Sequence, residues 1–116
     1  MKKILAEHDN LDAVFSLDDE ISIGVIKAVT ESGRTDIKAV TGGGGMQEYF
    51  KMIKDAKYSS LGLCSALYSP SMVEDAVKTA IELCSGKGSS KVVVIPTTIV
   101  DTQNVNEFID PQNTVY

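Results

Sequence analysis

The sequence predicts an α/β fold, an open and mainly parallel sheet with flanking helices, and three observations predict it. Short apolar runs of strand length alternate with longer runs at helical spacing. The first strand-length run ends at Asp18-Asp19 and the second ends in Gly42-Gly43-Gly44-Gly45. Two parallel strands joined by one helix form a right-handed crossover, so both of these loops fall at the carboxyl edge of the sheet, where open α/β sheets bind ligands. The chain has 116 residues, 43% hydrophobic and 23% charged, which is enough for one packed domain and not for two.

Residues 2–10 predict a helical stub, with Ile4 and Leu5 apolar before the charges of Glu7 and Asp9. Asp12 to Ser16 is the first strand, since Val14 and Phe15 favour extended backbone. Asp18 or Asp19 caps the next helix, and Glu20 adds favourable charge to its first turn. Ile21, Val25, Ala28 and Val29 share a helix face that Ile23 and Ile26 widen. Gly24 is expected to let this helix approach its sheet, and Gly33 ends it. Ile37 to Thr41 is the second strand. Met46, Tyr49, Phe50, Ile53 and Ala56 recur at helical spacing, which predicts an amphipathic helix from Met46 to Ala56.

A third strand is expected from Tyr58 to Ala66. Ser69-Pro70 opens a further helix, because proline suits a first-turn position, and Ser71 with Glu74 offers a capping box. Val73, Ala76, Val77, Ala80, Ile81 and Cys84 form the clearest apolar stripe of the chain. Gly86-Lys-Gly88-Ser-Ser ends that helix. Lys91 to Ile95 is a fourth strand, which Pro96 confines to an edge or a crossing. Thr97 to Asp101 is extended, a short turn or helix falls near Asn104 to Ile109, and a loose tail runs to Tyr116.

Net charge is −5 without a basic cluster, which argues against nucleic acid and anionic membrane surfaces as partners. Met1-Lys-Lys-Ile-Leu-Ala is followed at once by Glu7, His8 and Asp9, so no signal peptide is expected in this chain. No run is long enough to insert in a membrane. Cys64 and Cys84 lack metal-ligand spacing, and His8 stands alone, so no metal and no cofactor are expected. The cysteines are expected to be buried apolar fillers, with one disulfide as the alternative.

Three features could carry chemistry. The glycine run at a strand-to-helix junction could bring backbone close to a ligand and offer free N–H groups to an anion; its alternative is a flexible turn. No Gly-Lys-Ser/Thr closes it, so it is not a P-loop. Asp18-Asp19-Glu20 could bind sugar hydroxyls or Mg²⁺, or act as acid and base; its alternative is helix capping. Tyr49 and Phe50 belong to the helix stripe and predict core packing, whereas Tyr68 follows a strand end and could stack on a sugar. No Ser/His/Asp or Cys/His constellation is present, so an enzyme is not expected.

Ala13-Val-Phe-Ser-Leu-Asp18-Asp19-Glu-Ile-Ser-Ile-Gly24 resembles the "AVFAxNDxxAxG" segment of ribose-type periplasmic sugar-binding proteins of ABC transporters. The following order is similar too: Gly33 and a polar linker, a strand, then glycines where that family has "GxDG". Ile53-Lys-Asp55, Tyr68-Ser-Pro-Ser-Met72, Ile99-Val-Asp-Thr-Gln-Asn104 and the closing Asp110-Pro-Gln-Asn-Thr-Val-Tyr116 continue it over nearly the whole chain. The resemblance implies a type I periplasmic binding protein, a two-lobed clamp that catches a monosaccharide for an importer permease. It implies a periplasmic or extracellular location. It covers only the C-terminal portion of the clamp, so residues 1–116 are expected to form a single incomplete α/β domain with weak or absent sugar binding alone.

By the same resemblance the family's sugar-binding Asn aligns with Asp18. Its loop Asp falls at about Gly43 or Gly44, and its Gln falls near Cys64. The ligand-binding set expected here is Asp18, Asp19, Gly43, Gly44 and Tyr68. Two other readings stay open. One is an independent α/β protein that binds a phosphate-bearing metabolite at Gly42 to Gly45. The other is an effector-domain fragment of a lac-repressor-type regulator. An open edge at Val14 and Phe15 and a bare helix stripe from Val73 to Ile81 predict association with a second copy, a homo-oligomer.

Overall fold

The computed structural model describes residues 1–87 and 92–112. It contains α1 (Lys2–Glu7), β1 (Ala13–Val14), α2 (Asp19–Ser32), β2 (Ala39–Gly43), α3 (Gln47–Lys54), β3 (Gly62–Leu67), α4 (Met72–Cys84) and β4 (Thr98–Val100), with 3-10 turns at Ala56–Tyr58 and Val105–Glu107. One sheet runs in the order β1-β2-β3-β4. The first three strands are parallel, with Val14 opposite Val40 and Val40 opposite Leu63. β4 returns antiparallel, with Val100 opposite Ser65. The mainly parallel α/β sheet expected from the sequence is therefore the fold.

Period-two alternation sorts the strands into two faces. Val40, Leu63 and Val100 are buried toward α2 and α3, joined there by Val25, Ile26, Val29, Tyr49, Phe50, Ile53 and Val105. The opposite face carries Thr41, Cys64 and Ala66, which are half-buried, and Ile99, which is 53% exposed. No described helix covers that face with a buried residue, because α4 buries none.

Several elements differ from expectation for physical reasons. β1 is two residues long, not five, because Ser16 N–H donates to the Thr41 hydroxyl instead of a backbone carbonyl. A side chain closes the ladder there, and Phe15 stands 79% exposed. β2 begins two residues late and takes in Gly42 and Gly43, so half of the glycine run is strand. α3 gives way at Asp55 to a 3-10 turn, whose Lys57 N–H is capped by the Asp55 carboxylate. β3 starts only at Gly62.

The expected fourth strand does not form. Val92 to Ile95 has no regular structure and is exposed, while Lys91 lies outside the described residues. The neighbouring Thr98–Val100 pairs with β3 in its place. The capping box at Ser71 is also absent: Ser71 caps nothing with its side chain and pairs with the Ser69 hydroxyl. Gly24 has open space around it, so it is not a close-approach point. Cys64 is half-buried, Cys84 is exposed, and both are free thiols, so neither the buried-filler reading of Cys84 nor a disulfide holds.

The closing segment is not loose up to Gln112. Gln47, 3% exposed, donates to Phe108 O at 3.0 Å and accepts from Asp110 N–H at 2.7 Å. Phe50 and Phe108 meet edge to face, with ring centroids 6.4 Å apart. Residues 113–116 lie outside the described residues.

Candidate functional site

The site is built on the first turn of α2. Asp18 has extended backbone and its carboxylate accepts from Ile21 N–H at 2.7 Å, so Asp18 is the N-cap. That bond uses Oδ1; among the described residues Oδ2 has no partner. Asp18 thus caps the helix and still presents an acceptor. Glu20 stands beside it, exposed.

Asp19 does something the sequence did not suggest. It is 2% exposed, and its Oδ2 accepts three hydrogen bonds: Gly45 N–H at 2.9 Å, Met46 N–H at 2.7 Å and the Ser65 hydroxyl at 2.9 Å. Its Oδ1 is buried with no hydrogen-bond partner among the described residues. One carboxylate therefore ties the start of α2, the entry to α3 and the centre of β3 together. Ser22 adds to the tie, with its hydroxyl 2.7 Å from Thr41 O. Burial first, and then the Asp19 charge, push the Tyr49 phenol well above its ordinary range, so it stays a neutral donor to Val40 O.

This buried carboxylate explains the glycines. A side chain at Gly42 would collide with Asp19 Oδ1 and would place its Cβ 2.9 Å from the Tyr49 ring. Gly44 and Gly45 have φ of +113° and +99°, a region that L side chains rarely adopt. The run is a fixed path around Asp19 and not a flexible turn. It is also a poor anion site. Gly45 and Met46 N–H already donate to Asp19, Gly44 N–H donates to Ala66 O, and the carboxylate itself repels an anion. The free N–H groups that a phosphate-bearing metabolite would need are absent from Gly44 to Met46.

Asp18, Asp19, Gly43, Gly44 and Tyr68 all line one cavity of about 340 Å³ at the carboxyl edge of the sheet. Glu20, Met46, Pro70 and Met72 complete the lining. The structure thus brings the five sequence-selected residues together. Sequence reasoning missed Met46 and Met72, and it missed the role of Ser65, a buried serine in a strand that looked weak. Tyr68 is 42% exposed, open as expected, while Tyr49 and Phe50 are core. Cys64 does not line the cavity. Burial above all, helped by the Asp101 and Asp19 charges, raises its thiol above the ordinary value, which opposes any nucleophilic use. Among the described residues no cluster of three or more His, Cys, Asp or Glu could hold a metal, so the Mg²⁺ reading of the acidic run has no ligand set.

A family model described as "Periplasmic binding protein domain" matches residues 1–88. The chain belongs to that family. It is 28% identical over 97 residues to the ribose import binding protein of Bacillus subtilis, covering 83% of this chain and 30% of that protein. A galactofuranose binding protein superposes with a TM-score of 0.74 at 18% identity, over 93% of this chain and 37% of its own. A periplasmic solute binding protein of an ABC transporter from Actinobacillus succinogenes, solved with D-allose, gives 0.72 at 19% identity over 92% and 36%. These structures share the type I periplasmic binding protein fold with this chain. The chain spans about a third of the length of the relatives it matches.

Proposed function

We propose that this chain forms one wall of a monosaccharide-binding cleft in the solute-binding component of an ABC importer. The observation that carries the reading is the cavity at the sheet's carboxyl edge, where Asp18, Gly43, Gly44 and Tyr68 meet in a chain of the periplasmic binding protein family. Asp18 Oδ2 is an acceptor for a sugar hydroxyl. Tyr68 supplies a half-open ring for the apolar face of a pyranose or furanose. Gly43 and Gly44 keep that stretch of wall free of side chains. Asp19 is a positioning residue in this scheme, not a ligand contact, because both of its oxygens are buried.

The site is suited to binding and not to reaction. Ser65 donates its hydroxyl to Asp19 and Ser22 donates to backbone carbonyls, and neither serine lines the cavity. The importer permease and a periplasmic or extracellular location follow from the family and belong to the proposal. So does association with a second copy through the β1 edge and α4. The phosphate reading loses its support with the occupied N–H groups, and no observation favours the regulator reading.

With one wall contributing a few polar contacts, affinity for a free sugar should be in the millimolar range. Titration of the 116-residue chain with ribose, allose, galactose and glucose, followed by backbone amide shifts, tests this. Shifts should concentrate at residues 18–20, 43–46 and 68, and Tyr68→Ala should weaken binding at least about fivefold. Absence of any shift there at tens of millimolar sugar would remove the proposal.

A further inference from the structure

We infer that the cavity takes a deoxy sugar, one in which a terminal hydroxymethyl is replaced by methyl, and holds that methyl against Pro70 and Met72. This rests on the sugar-binding reading and adds the substituent to it. Strand order gives the cavity two unlike sides. Asp18 and Glu20 follow β1, whereas Tyr68, Pro70 and Met72 follow β3. Gly43 and Gly44, at the end of β2, form the floor between them. The two sides stand two strand spacings apart, roughly 10 Å. A Cβ at Gly43 would lie 3.7 Å from Tyr68 Cε1, and one at Gly44 3.8 Å from its hydroxyl, so the ring stands beside the floor.

The β3 side has its backbone donors already spent. Pro70 has no N–H. Ser71 N–H donates to the Ser69 hydroxyl, Met72 N–H to Ser69 O and Val73 N–H to Pro70 O. The floor is spent as well, with Gly44 N–H on Ala66 O and the N–H groups of Gly45 and Met46 on Asp19. Among the described residues the Tyr68 hydroxyl is the lining's only side-chain donor. A sugar hydroxyl over the β1 side meets the acceptor that Asp18 leaves free. One turned to Pro70 and Met72 gives up water and finds no partner, which costs binding. A methyl there gives up nothing and gains dispersion contacts with the proline ring and the thioether. Methionine is adaptable enough to close on so small a group, and Met46, partly buried against the core, adds a second thioether to the lining.

Matched pairs test the inference on the full chain: 6-deoxy-D-galactose against D-galactose, 6-deoxy-D-glucose against D-glucose, and 5-deoxy-D-ribose against D-ribose. Binding is read by calorimetry and by the resonances of methyl-labelled methionine. In at least one pair the deoxy member should bind about fivefold tighter or more. It should shift the Met46 and Met72 methyls and leave Met1 and Met52, which do not line the cavity, in place. Met72 opens α4 and is 39% exposed, so it can be replaced without disturbing the core. Met72→Leu should keep the preference. Met72→Gln, of similar length but with a donor and an acceptor, should cut it to within about twofold. Equal or tighter binding of the hydroxyl member in all three pairs overturns the inference and leaves the sugar reading standing. A preference that Met72→Gln leaves intact, or that comes with unmoved Met46 and Met72 methyls, overturns it too. If no sugar of any kind shifts the site, both readings fall.

Discussion

At the residue scale the fold turns on Asp19 and the space kept for it. Two glycines with opposite surroundings make this testable. Gly42→Ala forces a Cβ against Asp19 and Tyr49 in a packed interior and should destabilise by about 1–3 kcal/mol. Gly24→Ala, with nothing within 4 Å and a helix interior around it, should stabilise by about 0.5–1 kcal/mol. Urea denaturation reads both signs in one experiment. Asp19→Ala leaves Gly45 and Met46 N–H without acceptors and should cost about 2 kcal/mol or more. An Asp19→Ala variant as stable as the parent would show that the bracket contributes nothing.

A second residue-scale device lies far from the cavity. Arg34 donates to Leu5 O and His8 O and pairs with Asp36, which also accepts from Leu11 N–H at 2.8 Å. These bonds hold α1 and its following loop on the body. The Arg34 guanidinium first, then the Leu11 N–H, keep the Asp36 carboxyl well below the ordinary carboxylate range. A depressed folded pKa contributes stability in full above the unfolded value of about 3.9 and loses it as pH falls through the folded value. Asp36→Asn should therefore melt lower than the parent at pH 7. The gap should begin to narrow below about pH 4. A gap that widens on acidification would contradict the pairing.

At the element scale the contrast is between α2 and α4. Both are amphipathic from sequence. α2 buries Val25, Ile26, Ala28 and Val29, whereas α4 leaves Val73 at 61%, Val77 at 53% and Ile81 at 61% exposed. A 13-residue helix without tertiary packing is marginal in water. In hydrogen exchange of the chain diluted below self-association, the α4 amides should exchange orders of magnitude faster than those of α2 and β2. Protection in α4 equal to that in α2 would mean that something covers it in solution. The same contrast explains β4. Val92 to Ile95 has strand composition but joins no strand ladder among the described residues, while Thr98–Val100 meets β3, with the Thr97 hydroxyl donating to Leu67 O.

At the scale of the molecule, the chain is longer than its length predicts. Its radius of gyration is 17.9 Å, against about 13 Å for a compact chain of this size. Among the described residues the buried ones lie in the sheet and the loops beside it, α2, α3 and the closing segment, so α4 and Val92 to Ile95 stand as a bare arm. Several large aliphatic side chains left in water each forgo about 1.5–3 kcal/mol of burial. Sedimentation at low micromolar concentration should find self-association, and Val77→Asp with Ile81→Asp should abolish it without unfolding the sheet. A monomer whose α4 also exchanges freely would remove the second-copy proposal.

The sequence by itself determined the elements and the edge at which they meet. Apolar spacing placed α2, α3 and α4, Gly33 ended α2, and the strand-length runs put Asp18, Gly43, Gly44 and Tyr68 on one side of a parallel sheet. Those signals are local, and a right-handed crossover leaves little freedom in joining them. Tertiary structure decided the rest, because partners distant in sequence set it. Only the fold shows that Asp19 is spent on backbone 26 and 27 residues away, that Gln47 clamps a segment 61 residues on, and that one of two neighbouring apolar runs becomes β4. A residue's type states which bonds it can make. Which bonds it does make depends on what the folded chain places beside it.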